Sequence, residues 1–401
     1  MKNILILTKI YPGKDLPSND TKVVHYFAKE WKKMGYNVLV IHNLVLFPPF
    51  VYWITRMFSS KLAAIFGAVV PTVNDAKIKE YEVEGVDVIR IPIRKYIPHG
   101  MFSGKAIVRH YEKVKSILKS KKFVPDLIIG HWWNPQLQLL EHFKEDLNVK
   151  TCLTVHDFNS IQNVEVYKQL FKSVDVFGMR SNPITGTFKH KFGDHYKTFF
   201  CASGVPEQFI VGNNHRDFSK PIENFCYVGT MIKRKFPFSL LQALELIHDD
   251  LGNFRVDYVG AGAELKHIEN YLEKKTWKDN VMIHGAIPRM QVSTVLKTSD
   301  CFVMISKNEA FGLVYLEAMG CGCIPIASRN EGMDGIIIDG ENGFLCESGN
   351  YEELSRILIK MNRLTEPERR RISDNAVKTA AYYTDFLAAK RYIDNVINFL
   401  C

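Results

Sequence analysis

The chain has no uncharged apolar run of about 18 residues, so nothing in it reads as a transmembrane helix. It has no Cys-x-x-Cys pair, no Asp-x-Asp pair, no internal repeat and no low-complexity segment. The first absence removes the usual zinc and redox spacings, and the absence of a repeat argues against a solenoid. Eight cysteines stand scattered at 152, 201, 226, 301, 321, 323, 346 and 401, and read as reduced thiols. Cys321 and Cys323 flank Gly322, where cysteine serves as a small buried hydrophobe. The opening segment, Met1 to Thr8, has too short an apolar run for a secretory signal and reads as a first strand, so the expected location is the cytoplasm.

What is present describes a soluble globular protein of two domains. Hydrophobic residues make up 46% and charged residues 24% of 401 positions, too many residues for one compact core. The net charge of +9 divides unevenly: residues 1–200 carry +12, which leaves −3 for residues 201–401. A basic first half points to an anionic partner such as a membrane surface or a lipid phosphate. Nucleic acid is a weaker reading, because no recognition motif accompanies the charge.

Short apolar runs alternate with helical periodicity throughout, the pattern of parallel sheets. Asn3 to Thr8 and Asn37 to Ile41 flank a helix whose apolar face is Val23, Val24, Phe27, Trp31 and Met34, with Asp20 or Thr21 as its cap. Further strands are expected at 86–91, 126–130, 151–155, 174–178 and 198–201, with a basic helix over 105–122. A polar, breaker-rich stretch at 207–221 reads as the hinge between domains 1–206 and 222–381. The second domain is expected to carry strands at 224–228, 256–260, 281–285, 300–305 and 323–327. Segment 44–70, rich in aromatics and broken by Pro48-Pro49, Arg56 and Lys61, suits either an interfacial membrane contact or a covered core element.

Ser306 to Ser328, SKNEAFGLVYLEAMGCGCIPIAS, concentrates the chemistry. A loop follows the strand ending at Ile305, a helix runs over Leu313 to Gly320, and the helix start offers free N–H groups to an anion. Glu309 lies at the mouth of that unit and Glu317 deeper. Eight residues advance about 800°, some 80° past two turns, so both carboxylates could face one ligand if the helix starts early. After the strand at 224–228 comes a loop with three cations, Lys233, Arg234 and Lys235.

The spacing Glu309 to Glu317, with Phe311-Gly312 between and Cys321-Gly322-Cys323-Ile324-Pro325-Ile326-Ala327-Ser328 following, resembles the signature of glycosyltransferase family 4. His131-Trp132 and Thr154-Val155-His156 at two strand ends, and Asp339-Gly340-Glu341-Asn342-Gly343, are similar to further family patterns. The resemblance implies a GT-B fold: two Rossmann-like α/β domains facing each other across a cleft, with the C-terminal helix, 382–401, crossing back to the first. It implies a retaining enzyme that takes a sugar from a UDP- or GDP-sugar to a saccharide or lipid-linked acceptor; the basic first half and segment 44–70 add the expectation of work at the inner face of the plasma membrane.

Carried over residue by residue, the resemblance gives Glu317 the ribose hydroxyls and Glu309 the sugar hydroxyls. Lys235 would take the diphosphate beside Gly229, with Arg234 or Lys233 supplying the charge of the family Arg that Thr230 replaces, and the N–H groups near Phe311, Gly312 and Leu313 would face the sugar and diphosphate. Ile287 would meet the nucleobase, and His156 would lie beside the transferred sugar. No metal or other cofactor is expected, since these groups would stand in for Mg²⁺. Three positions depart from the family pattern: Asn19-Asp20 for a Gly-Gly pair, Thr230 for an Arg, and Glu331-Gly332 for a second Gly-Gly. A nucleotide-sugar epimerase of the same fold and a catalytically idle binding scaffold are the alternative readings.

Overall fold

The computed structural model describes residues 2–16, 22–52, 75–96, 101–158, 161, 163–212 and 216–400. They form two compact units. The first comprises residues 1–180, 184–201 and 388–401, and the second 181–183 and 202–387.

The first unit is built on eight strands: β1 (Asn3–Thr8), β2 (Asn37–Leu46), β3 (Lys79–Val83), β4 (Val86–Arg94), β5 (Leu127–His131), β6 (Lys150–Val155), β7 (Val176–Met179) and β8 (Thr198–Phe200). Their spatial order is β3-β4-β2-β1-β5-β6-β7-β8, and only β3 runs antiparallel. The near-continuous apolar runs of β1 and β2 follow from this placement, since a parallel sheet is covered on both faces. β3 has no such run. Its sequence KEYEV alternates, its residues are partly or fully exposed, and it sits at the sheet edge, so periodicity in apolar residues did not reveal it.

The second unit has six parallel strands: β9 (Asn224–Val228), β10 (Arg255–Val259), β11 (Val281–Gly285), β12 (Cys301–Val303), β13 (Ile324–Ser328) and β14 (Phe344–Cys346). Their order is β11-β10-β9-β12-β13-β14. The chain therefore starts in mid-sheet, winds out to β11, then crosses to β12 on the other side of β9. That reversal is a topological switch point, the place where open α/β sheets bind ligands beyond the strands' carboxyl ends. Cys226, Cys301, Cys321 and Cys323 are all buried free thiols in this unit, as small hydrophobes are.

Two expectations change, and a third falls largely outside the described residues. Residues expected as a hinge pack with the second unit. The guanidinium of Arg216 donates to the carbonyls of Ser299, Leu296 (3.2 Å) and Cys321 (2.7 Å), Phe218 is fully buried, and Val211 N–H donates to Gly320 O at 2.9 Å. The helix Val23–Lys33 has Lys22 at its N-cap without a side-chain cap, while the expected caps Asp20 and Thr21 lie outside the described residues, as does Asn19. In segment 44–70, Leu44 and Leu46 belong to buried β2, and Phe50 is 62% exposed, whereas 53–70 lie outside the described residues.

The helix Asp385–Leu400 returns to the first unit and packs into its core. Tyr392 is its anchor. Its ring meets Phe27 and Trp31 edge-on at 5.0 Å each, and its hydroxyl pairs with Thr154 Oγ1 beneath β6. Trp31 Nε1 donates to Ala389 O at 2.8 Å, so the buried indole is satisfied. Tyr392→Ala should cost about 3–5 kcal/mol through the cavity it leaves, and Tyr392→Phe only about 0.5–1.5 kcal/mol for the hydrogen bond. Urea denaturation distinguishes them; equal losses would mean the hydroxyl, not the ring, carries the docking.

Candidate functional site

In the second unit, the loop after β9 is held in place by its neighbour after β10. Gly229 N–H donates to Val259 O, Met231 N–H to Ala261 O and Glu264 N–H to Met231 O, each at 2.9 Å. The approach is so close that a Cβ on Gly260 would stand 1.9 Å from Gly229 O, and one on Gly262 2.2 Å from Met231 O. Gly260 also has φ +137°, which L side chains rarely adopt. The Gly-Ala-Gly run after β10 is thus a packing surface for the cationic loop.

That loop ends in a 3₁₀ turn, Lys233–Lys235, which sets its cations beside the loop after β12. Lys235 Nζ lies 3.5 Å and Arg234 Nη1 3.7 Å from Glu309 Oε2. Lys307 N–H donates to Arg234 O at 2.7 Å, joining the two backbones. Glu309 is mostly buried, and its Oε2 makes no hydrogen bond among the described residues. Such an atom, kept from water without a donor, is costly unless a ligand supplies one. Glu331 holds the loop from the other side, its Oε2 accepting the Glu309 N–H at 2.8 Å. Gly332 lies beneath, where a Cβ would stand 2.5 Å from Phe311 N.

Phe311 is buried, and Gly312, at φ +85°, turns the chain into the helix Leu313–Gly320. No side chain among the described residues caps that helix, which leaves its first N–H groups to a ligand. Because the helix begins at Leu313, Glu309 is not on it, and the expected shared face of Glu309 and Glu317 does not form. Glu317 is buried four residues into the helix, where Arg289 Nε donates to its Oε1 at 2.6 Å. Arg289 opens the helix Arg289–Thr298, two residues after Ile287, which is half-buried in the turn following β11. Sequence reasoning missed Arg289; its position just beyond a strand end was the available signal. Thr230 is exposed, and its carbonyl, not its side chain, is engaged, accepting the Tyr227 hydroxyl at 3.2 Å. Arg234 is therefore the second cation at Glu309.

In the first unit, His156 follows β6 and is 7% exposed. Its Nε2 pairs with His131 Nδ1 at 3.1 Å, and its ring stacks on Trp132 with centroids 4.1 Å apart. Burial, then the Arg180 charge, holds His156 well below the usual imidazole range and brings His131 down to about 3. Both are neutral near pH 7, so His156 offers a hydrogen bond and no proton.

The two parallel-sheet α/β units, with the last helix returning to the first, are the GT-B fold. Solved structures agree over nearly the whole chain. Sucrose-phosphate synthase from Thermosynechococcus elongatus superposes with a TM-score of 0.69 at 17% identity, over 100% of this chain and 99% of that one. An Anabaena protein, HepE, solved in complex with UDP and glucose, gives 0.65 at 16% identity, over 99% and 100%.

Residues 215–379 match the family model described as glycosyl transferases, group 1. An uncharacterized glycosyltransferase of Methanocaldococcus jannaschii is 24% identical over 64% of this chain and 70% of its own length. N-acetyl-alpha-D-glucosaminyl L-malate synthase of Bacillus anthracis is 37% identical, over 28% of this chain and 29% of its own length. Together these matches liken residues 215–379 to glycosyl transferases of group 1 and the fold of the chain to GT-B structures.

The buried imidazoles make a test of the first unit. His42, His110, His131 and His156 are all depressed, chiefly by burial, His42 to about 3 and His110 to about 4. An unfolded histidine titrates near about 6.5, so below that pH the unfolded chain binds protons that the folded one refuses. Their stabilising contribution is complete above about 6.5 and lost as pH falls, by up to about 1.4 kcal/mol per imidazole per pH unit. Urea denaturation at about pH 7 and about 5.5 should show a loss of several kcal/mol. A flat profile would contradict the neutral, buried state.

Proposed function

We propose that this protein is a retaining glycosyltransferase that moves a sugar from a nucleotide diphosphate sugar to a hydroxyl of a saccharide or lipid-linked acceptor. The observation that carries the reading is Glu309 Oε2, buried, without a hydrogen bond among the described residues, and 3.5 Å from Lys235. A sugar hydroxyl supplies the donor that this oxygen lacks, and a diphosphate supplies the charge that Lys235 and Arg234 meet. The uncapped helix start at Gly312 and Leu313 adds N–H groups for the same anion.

In the reaction, the bond from the anomeric carbon to the diphosphate oxygen breaks and a bond to the acceptor oxygen forms on the same face. The acceptor's proton goes to the departing phosphate. Lys235 and Arg234 stabilise charge that grows on that phosphate, which lowers the barrier because the cations are already in position. Glu317, fixed by Arg289, accepts the ribose hydroxyls; Ile287 lines the nucleobase, and neutral His156 hydrogen-bonds the transferred sugar. We assign no metal and no covalent nucleophile.

The exposed Phe50 and the basic first half favour work at an anionic membrane surface, as part of polysaccharide or glycolipid synthesis. No helix among the described residues is long and apolar enough to cross a membrane.

Steady-state kinetics with a nucleotide sugar test the assignment. Lys235→Ala should lower kcat/KM about 10²-fold or more. Glu317→Gln should raise KM for the donor, losing a charged hydrogen bond worth about 1.5–3 kcal/mol. Glu309→Gln should act mainly on kcat. Wild-type kcat/KM in all three variants would overturn it, and a damaging Arg234→Ala beside a silent Lys235→Ala would move the key cation by one residue.

A further inference from the structure

The proposed chemistry uses His156 and leaves its buried neighbour His131 without a task. His131 ends β5, is fully buried, and lies against the rings of Phe27 and Tyr392, with centroids 6.3 and 6.2 Å away. Its Nδ1 meets His156 Nε2 at 3.1 Å, while its own Nε2, shut away from water, makes no hydrogen bond among the described residues. The His156 ring lies flat on Trp132, the two planes within 16° and their centroids 4.1 Å apart. That stacking opposes a turn of the ring that would take Nε2 away from His131. Trp132 is itself set by an uncommon backbone, with φ +65°, of a kind that collects at ligand sites. No other hydrogen bond to the His156 ring forms among the described residues.

Burial, then the Arg180 charge, keeps both imidazoles neutral. Each ring therefore carries a single N–H, and the contact at 3.1 Å needs one donor and one acceptor, so only two arrangements exist. In the first, His156 Nε2 holds the shared proton. His131 must then carry its own proton on Nε2, a buried N–H with no acceptor, and His156 Nδ1 is bare. In the second, His131 Nδ1 holds the shared proton. His131 Nε2 is then a lone pair, and the proton of His156 sits on Nδ1.

Among buried main-chain groups an orphaned N–H is rarer than an orphaned acceptor, and the same penalty weighs against the first arrangement. The second also keeps one N–H fewer in the buried corner on which the Arg180 charge acts.

We propose that His131 is a positioning residue: its Nδ1–H holds His156 in the Nδ1–H tautomer, so that His156 donates a hydrogen bond to an oxygen of the transferred sugar. The tautomer stands on the first unit alone, whereas calling that oxygen a sugar's rests on the transferase reading. The direction of the bond bears on specificity. An N–H serves a hydroxyl, carbonyl or carboxylate oxygen alike, while a bare ring nitrogen would serve only a group with a proton to give.

The test uses the full chain, isotope-labelled in its histidines and without a nucleotide sugar. Long-range proton–nitrogen correlation spectra at neutral pH tell the two nitrogens of each ring apart, and His131→Asn and His156→Gln assign the signals by their loss. The wild type should show a protonated Nδ1 and a bare Nε2 in both rings. His131→Leu removes the donor, and should release His156 into a mixture of tautomers and lower kcat for sugar transfer about tenfold, the size of one net hydrogen bond. His131→Asn, whose amide N–H can stand where the Nδ1–H stands, should keep the His156 tautomer and most of the activity.

A wild-type His156 protonated on Nε2 would overturn the proposal, and this spectrum decides even if His131→Leu does not fold. So would a His131→Leu chain that keeps His156 wholly in the Nδ1–H form, or a His131→Asn chain as impaired as His131→Leu. If both rings carry the expected protons while no nucleotide sugar is turned over, the transferase reading fails alone. If sugar is transferred while the protons are reversed, the role of His131 fails alone.

Discussion

The contact among Glu309, Lys235 and Arg234 is the constraint on which the second unit's site depends. One carboxylate oxygen faces two cations at 3.5 and 3.7 Å, yet makes no hydrogen bond among the described residues. One positive charge is left over and one hydrogen-bond acceptor is left open. A ligand with both anionic and hydroxyl groups completes the arrangement; a purely apolar one would leave it unsatisfied, at a cost of about 1–3 kcal/mol for the lone acceptor.

The backbone around the contact is organised to keep it. Gly260 and Gly262 let the loop after β10 press on the loop after β9, and Gly332 lets another strand of chain pass under Phe311. Glu331 then ties down the Glu309 N–H. Each of these places a charge by fixing main chain, so little backbone freedom remains to be lost when a ligand binds. Glu317 is prepared separately, its orientation set by Arg289.

Much of this was legible in the sequence. β9, β11 and the helix Leu313–Gly320 occupy the expected residues, because each is an apolar run closed by Gly or a turn. That Lys235 and Glu309 lie in loops following strands was legible, but their 3.5 Å contact was not. Two further features were not legible, for one reason: they depend on partners far along the chain. Arg289 and Glu317 are 28 residues apart, so no local period links them. Arg216 sits in a polar, breaker-rich stretch that composition reads as linker, but its guanidinium satisfies the carbonyls of Leu296, Ser299 and Cys321. Polar composition records exposure only when no distant backbone needs a donor.

The most direct measurement is a thermal-shift titration of the wild-type chain with UDP- and GDP-sugars, each beside its free nucleoside. A ligand that binds only the folded state raises Tm in proportion to the logarithm of its saturation. The account predicts that at least one nucleotide diphosphate sugar raises Tm while its nucleoside, lacking the diphosphate and the sugar hydroxyls, does not. No shift with any of them at millimolar concentration, or equal shifts from sugar and nucleoside, would contradict it.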